Sequence, residues 1–196
     1  MWRFLLNLSR TRRARRAAAA MIVPLVEASR RRLGGIAEAT WSDPYVIGFM
    51  AMLITLISRV EVGRLDSDAL GAVQTGAWQD ITGLSGSAIG EDMLHLGAAH
   101  DRNFEAGCRD AVTFGSMLVA RSLLFTGAGK TWQAKTWQAN TWQANTWQAA
   151  TDPSRLPPAE RDDVSAAWEQ FFDANVARRG EAMATALGTD GDEVWP

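Results

Sequence analysis

Three residues on one short stretch have the types and spacing for metal chemistry. Glu91 and His95 are four apart, and Asp92 and His95 three apart. On a helix all three share a face. A carboxylate and an imidazole so placed make half of a carboxylate-bridged metal site. The complete site in a helical bundle takes two Glu-x-x-His units and two further glutamates. This chain has one Asp-x-x-His, from Asp92 to His95, and no second. A catalytic zinc usually takes three protein ligands. His100 continues an apolar stripe and is expected as a hydrogen-bonded core residue. His95 lies off that stripe and is expected to be solvated or capping. Glu91, Asp92 and His95 are therefore the metal candidates. They define the alternative reading of the chain, a metal-dependent enzyme or metal-binding protein. No cofactor is expected.

Nucleophilic chemistry has less to stand on. Cys108 is the sole cysteine. It sits among small residues on a helical pattern, where a buried thiol is inert. One cysteine allows no disulfide within the chain and no cysteine-based zinc site, which fits a reducing compartment. There is no Gly-x-Ser-x-Gly and no phosphate loop; Gly83–Ser87 lacks the lysine and the spacing. The acid pairs Asp66/Asp68 and Asp162/Asp163 are accounted for by helix N-termini.

The charge layout is more telling. The net charge is −2, yet residues 1–35 hold nine arginines and one acid, Glu27. The first 35 residues are therefore basic and the rest acidic. Arg10, Arg12, Arg13, Arg15, Arg16, Arg30, Arg31 and Arg32 are the candidates for contact with an anionic surface. The plain alternative is a basic arm lying on its own acidic body. Around a helix Arg3, Arg10, Arg12, Arg13, Arg15 and Arg16 fall on nearly every side, unlike a membrane-lying helix that segregates its charge. Residues 17–26 then supply ten apolar residues, the order of a cleaved targeting segment. Pro24, Glu27 and Arg30–Arg32 argue against cleavage. Nucleic acid is disfavoured as a partner, because the body is acidic and no recognition motif is present. Two lysines against 18 arginines suggest coding by a GC-rich, bacterial genome.

Residues 131–150 are four tandem pentapeptides, TWQAK, TWQAN, TWQAN and TWQAA. A period of five fits neither helix nor strand. Each successive tryptophan would turn by about 140° on a helix, so Trp132, Trp137, Trp142 and Trp147 cannot share a face. A tolerated insertion in a surface loop is the expectation. The sharper alternative is a partner-binding patch made of those four tryptophans. The phase Ala-Asn-Thr-Trp-Gln resembles the opening of a pentapeptide-repeat β-helix unit. Thr141 stands where that family carries Leu or Phe, and four units are few for a stacked core.

The elements that must position these groups read as helices. Tyr45–Ile57, YVIGFMAMLITLI, is the most apolar run. Asp43 is a suitable N-cap and Pro44 suits the first helical position, so a helix is expected over about 43–62, ending at Gly63. It is apolar all round and must be buried. The uncharged run Tyr45–Ser58 gives 14 residues before Arg59, short of a membrane span. Gly48, Ala51, Thr55 and Ser58 form a narrow small-residue face. Gly107, Ala111 and Gly115 form another, and the two are expected to pack together. Asp66 starts the next helix, with Leu70, Val73, Ala77, Trp78 and Ile81 inward. A long stripe follows from Ile89 to Phe125, with a break expected near 97–101. A last amphipathic helix carries Val164, Trp168, Phe171, Phe172 and Val176, continuing to Met183 and Leu187.

The fold expected is all-α: a helical bundle around the buried central helix, with a C-terminal amphipathic helix docked on it. The expected divisions are a basic arm (1–35), a helical core (36–126), the repeat insertion and linker (127–157), the C-terminal helix (158–188) and an acidic tail (189–196). The function expected is a non-enzymatic interaction or scaffold protein, cytoplasmic and peripheral to the membrane. Its basic N-terminus would contact an anionic membrane surface or a protein partner.

Overall fold

The structure, a computed structural model, describes residues 2–86, 89–126 and 164–180, with side chains described for 8–86, 89–118 and 164–180. Among the described residues there is no strand. The helices are α1 (Trp2–Leu33), α2 (Pro44–Val62), α3 (Ser67–Thr82), α4 (Ile89–Ala98), α5 (Arg102–Thr126) and α6 (164–180). A 3-10 turn, Glu38–Ser42, leads into α2. The architecture is the expected all-α bundle with α2 at its centre.

The start and stop of α2 are written in its sequence. Asp43 accepts from the Tyr45 and Val46 amides, Pro44 occupies the first turn, and Gly63 ends the helix at φ +73°. Asp and Pro satisfy or remove the orphan amides, and glycine adopts the positive φ freely. Every residue from Tyr45 to Ala51 and from Leu53 to Ser58 is buried. At 19 residues α2 is long and apolar enough to cross a membrane, yet 72% of that window is buried in the bundle. It is the core helix.

The α2–α5 crossing forms where two glycines meet. A Cβ on Gly107 would sit on the carbonyl oxygen of Tyr45 and 2.8 Å from the Phe49 amide nitrogen. A Cβ on Gly48 would sit on the carbonyl oxygen of Phe104. Backbone therefore lies against backbone, closer than any side chain allows. The expected pairing of the two small-residue faces holds at this crossing and fails further along. Gly115 meets Leu56 and Leu53 instead. Thr55 turns to α3, where its hydroxyl accepts from Gln74 Nε2 at 3.0 Å.

Residues expected to form a separate basic arm form a helix of the bundle. Ala14, Ala18, Ile22 and Val26 are fully buried in the same core as α2 and α3. Steps of four keep them on one stripe. The arginines between them hide that stripe from a reading by charge alone. α1 continues through Pro24, which is exposed. It ends before Gly34 and Gly35, both at positive φ.

α3 is capped by Asp66, which accepts from the Ala69 amide at 2.8 Å. It buries Val73, Ala77, Trp78 and Ile81 as expected, with Leu70 half-buried. The break in the long stripe falls at 99–101. His100 adopts φ +52° there, a region that histidine tolerates better than most residues. Asp101 caps α5 by accepting from the Asn103 and Phe104 amides, each at 2.9 Å.

α6 docks through aromatics. Trp168 and Phe172 are fully buried and stack at 4.6 Å between centroids. Phe49 and Phe114 meet Trp168 edge-on at 5.7 and 5.5 Å. Trp41, from the 3-10 turn, extends the cluster to Phe172 and Trp78. Edge-to-face and offset contacts at these separations add to the area buried. Within α6, Glu169–Asp173 is a π-helical turn. The extra residue per turn shifts the inward face and brings Asp173 inside together with Phe172.

The repeat residues Trp132, Trp137, Trp142 and Trp147, the linker, the ends of the C-terminal helix with Met183 and Leu187, and the tail 189–196 lie outside the described residues.

Candidate functional site

The metal candidates sit on α4, the helix least embedded in the bundle. Of its residues only Ile89 and Gly97 are buried. Glu91, Asp92 and His95 are exposed, and Leu94 beside them is 76% exposed. Among the described residues, no group of three or more His, Cys, Asp or Glu is placed to hold a metal ion. Among the described residues no second element brings a ligand to this face. His95 is solvated, as expected. His100 is not the core residue expected: its side chain is exposed, with Nδ1 3.3 Å from Glu105 Oε1. The helix break rotates it off the stripe that periodicity assigned to it.

Cys108 is buried against α2, its Sγ 3.5 Å from the Gly48 carbonyl oxygen. Burial, reinforced by the Glu105 carboxylate, pushes the thiol up to about 12. A thiol so placed supplies no thiolate at neutral pH.

Two polar clusters that sequence reasoning missed fasten α6 to the bundle. In the first, Ser29 Oγ lies between the Leu25 carbonyl and Asp173 Oδ1 and accepts from Trp168 Nε1 at 2.7 Å. Arg32 donates to Asp173 Oδ2 from Nε and Nη2, each at 2.7 Å. In the second, the Tyr45 hydroxyl lies 2.9 Å from Asp110 Oδ2 and 2.7 Å from the Phe171 carbonyl, and accepts from Asn175 Nδ2. Burial, with Asp110 next, raises the Tyr45 phenol well above its ordinary range. Arg179 lies over the Tyr45 ring, 5.0 Å from its centroid, and donates to Asp43 Oδ2 at 2.7 Å. Among the described residues no buried side-chain nitrogen or oxygen lacks a partner. These clusters are complete as they stand, and nothing in them is aimed at a ligand. One sequence signal pointed to them: Ser29 continues the Ala14–Val26 stripe by three residues.

The eight candidate arginines divide into two groups. Arg10 Nη2 donates to the Val62 and Arg64 carbonyls at 2.8 and 2.6 Å, covering the end of α2. Arg13 pairs with Glu61. Arg15 grips Asp80 with two parallel bonds of 2.6 Å. Its stem crosses Gly76, where a Cβ would lie 2.8 Å from Arg15 Cδ. Arg30 pairs with Glu27 and reaches the Thr82 carbonyl. Arg32 holds Asp173. These five are engaged with the molecule's own acids and carbonyls, the plain alternative weighed for the arm. Arg12, Arg16 and Arg31 are exposed and pair with no acid among the described residues.

The class defined by these observations is an all-α bundle whose buried side-chain polar groups, among the described residues, all find partners within the molecule. No family model, no curated protein and no solved structure matches this chain.

Proposed function

We propose that this is a non-enzymatic helical interaction protein whose basic first helix contacts an anionic membrane surface. A cytoplasmic location at the membrane periphery goes with that reading. The observation that carries it is the division of the α1 arginines. Five are occupied within the bundle, while Arg12, Arg16 and Arg31 present guanidinium groups to solvent. Guanidinium is always charged and matches phosphate geometry, and an arginine near an anionic leaflet contributes about 1 kcal/mol.

Vesicle flotation of the full chain tests this, with phosphatidylcholine alone and with phosphatidylcholine containing phosphatidylglycerol. Binding should require the anionic lipid and weaken with salt. Arg12→Glu with Arg16→Glu should weaken it about 25-fold or more, taking about 1 kcal/mol for each arginine. Equal binding to both vesicle types removes the proposal.

A further inference from the structure

One side of α1 faces away from the bundle. Ala14, Ala18, Ile22 and Val26 form its buried stripe. Arg12, Arg16, Ala20 and Pro24 each precede one of these by two residues, and two residues turn a helix by about 200°. All four are exposed, on the side opposite the stripe. Arg31 is about two helical turns beyond Pro24, so it continues the same side, and it too is exposed.

The fold sorts a charge that the sequence scatters. Arg10, Arg13, Arg15, Arg30 and Arg32 are held by acids and carbonyls of the molecule itself. The three that remain stand at the two ends of the outer side, Arg12 and Arg16 before its middle and Arg31 after it. Arg16 and Arg31 are separated by about 22 Å along the helix, at 1.5 Å per residue. Between them the outer surface is apolar. Ala20 and Pro24 are exposed, Ala17 and Val23 are half-buried beside them, and Met21 is 42% exposed. Glu27 is the one acid between Arg16 and Arg31, and Arg30 donates to it at 2.6 Å.

Pro24 sets the depth at which such a surface can sit. It brings no N–H to the Ala20 carbonyl one turn before it. A backbone acceptor left without that donor needs water or a headgroup, which the hydrocarbon core does not supply.

We propose that α1 lies side-on in the headgroup layer of an anionic bilayer, with Ala20, Met21 and Pro24 inserted among the lipids and Arg12, Arg16 and Arg31 on lipid phosphates at either end. The inference rests on the reading above and adds an apolar insertion to a contact that the reading makes by charge. Shallow burial of an apolar helix face, with arginines drawn to anionic lipid, is how an interfacial helix binds. A second copy of this chain is the poorer occupant. Both ends of the face carry arginine, so pairing in either direction sets arginine against arginine.

Flotation of the full chain on phosphatidylcholine–phosphatidylglycerol vesicles tests this with Ala20→Trp, Met21→Gln and Ala98→Trp, circular dichroism melts serving as the check on folding. Ala20→Trp enlarges the inserted surface and should tighten binding about ten-fold. That gain should keep its size as salt is raised, because apolar burial is not screened. Met21→Gln keeps the length and the charge and should weaken binding about three-fold. Ala98→Trp puts the same aromatic on the exposed surface of α4, beside Glu91, Asp92 and His95, and should leave binding unchanged. Equal gains in the two tryptophan variants overturn the insertion. So does unchanged binding in both Ala20→Trp and Met21→Gln while Arg12→Glu with Arg16→Glu loses it, a result that leaves contact by charge standing. Wild-type indifference to phosphatidylglycerol overturns both and turns the face toward an acidic protein. Self-association of Ala20→Trp without tighter vesicle binding also overturns it, because the face then seats a second copy.

Discussion

α5 and α1 lie against the same central helix and are held to it by different physics. At the α5 seam, Gly48 and Gly107 let two backbones touch, and the charged group beside them, Asp110, accepts from the Tyr45 hydroxyl without an ion pair across the crossing itself. At the α1 seam the contact stripe is Ala14, Ala18, Ile22 and Val26, flanked by arginines that bridge to Glu61, to Asp80 and to the end of α2. The first seam depends on shape, so it should be intolerant of added atoms and indifferent to salt. The second combines a thin apolar stripe with exposed ion pairs, each worth about 0–1 kcal/mol. It should tolerate substitution and respond to salt and pH.

The largest expected effect is at the α5 seam. Gly107→Leu should lose about 3 kcal/mol or more, the upper end for overpacking, and lower the melting temperature by roughly 6–12 °C. Gly107→Ala tests the sign. In an open helix alanine is favoured over glycine by about 1 kcal/mol. Here its Cβ would sit on the Tyr45 carbonyl, so the melting temperature should fall. A rise would remove the close crossing.

A middle effect sharpens the comparison, because the C-terminal half of α1 is anchored differently from its first half. Asp173 is 6% exposed and accepts from both Arg32 and Ser29. Asp173→Ala removes the buried carboxylate that Ser29 and Arg32 share and leaves them only the Leu25 carbonyl and Glu169, at a cost of about 2 kcal/mol. Urea unfolding should show a lower midpoint with an unchanged slope. No shift of the midpoint would mean that the aromatics alone dock α6.

The glycine seam was legible in sequence at its tightest point, because small residues at helical spacing have few other uses. Its course beyond Gly48 was not legible. A face fixes where two helices touch, while the crossing angle decides that Thr55 faces Gln74 of α3 and that Leu56 receives Gly115. The α1 stripe was hidden for another reason. Ala14 and Ala18 are small, and the arginines around them read as a solvated arm. Partners 48 and 65 residues away, Glu61 and Asp80, then turned that arm into a bundle helix. His100 failed through local backbone: a left-handed residue at a helix break resets the phase on which periodicity relies. Asp173 carried no signal in the sequence for a similar reason, because the π-helical turn adds a residue that a 3.6-residue period cannot anticipate.

The smallest effect separates the seams most cleanly. Two parallel bonds from Arg15 hold the Asp80 carboxyl below its usual range. A carboxylate with a depressed folded value adds stability that is fully present above its unfolded value, about 3.9, and is lost as pH falls through the folded value. Both side chains are more than a third accessible, so solvent screening limits the pair to about 1 kcal/mol at most. Arg15→Gln, which keeps an aliphatic stem over Gly76, should therefore lower the melting temperature by no more than roughly 2–4 °C at pH 7. That deficit should shrink in 1 M salt and fade at acid pH, once Asp80 is protonated in wild type as well. The Gly107→Ala deficit should persist under both conditions, since a backbone clash carries no charge and binds no proton. A deficit in Arg15→Gln that ignores salt and pH would mean that the Arg15 stem packed over Gly76, and not its charge, holds α1 to α3. The two seams would then differ in tightness and not in kind.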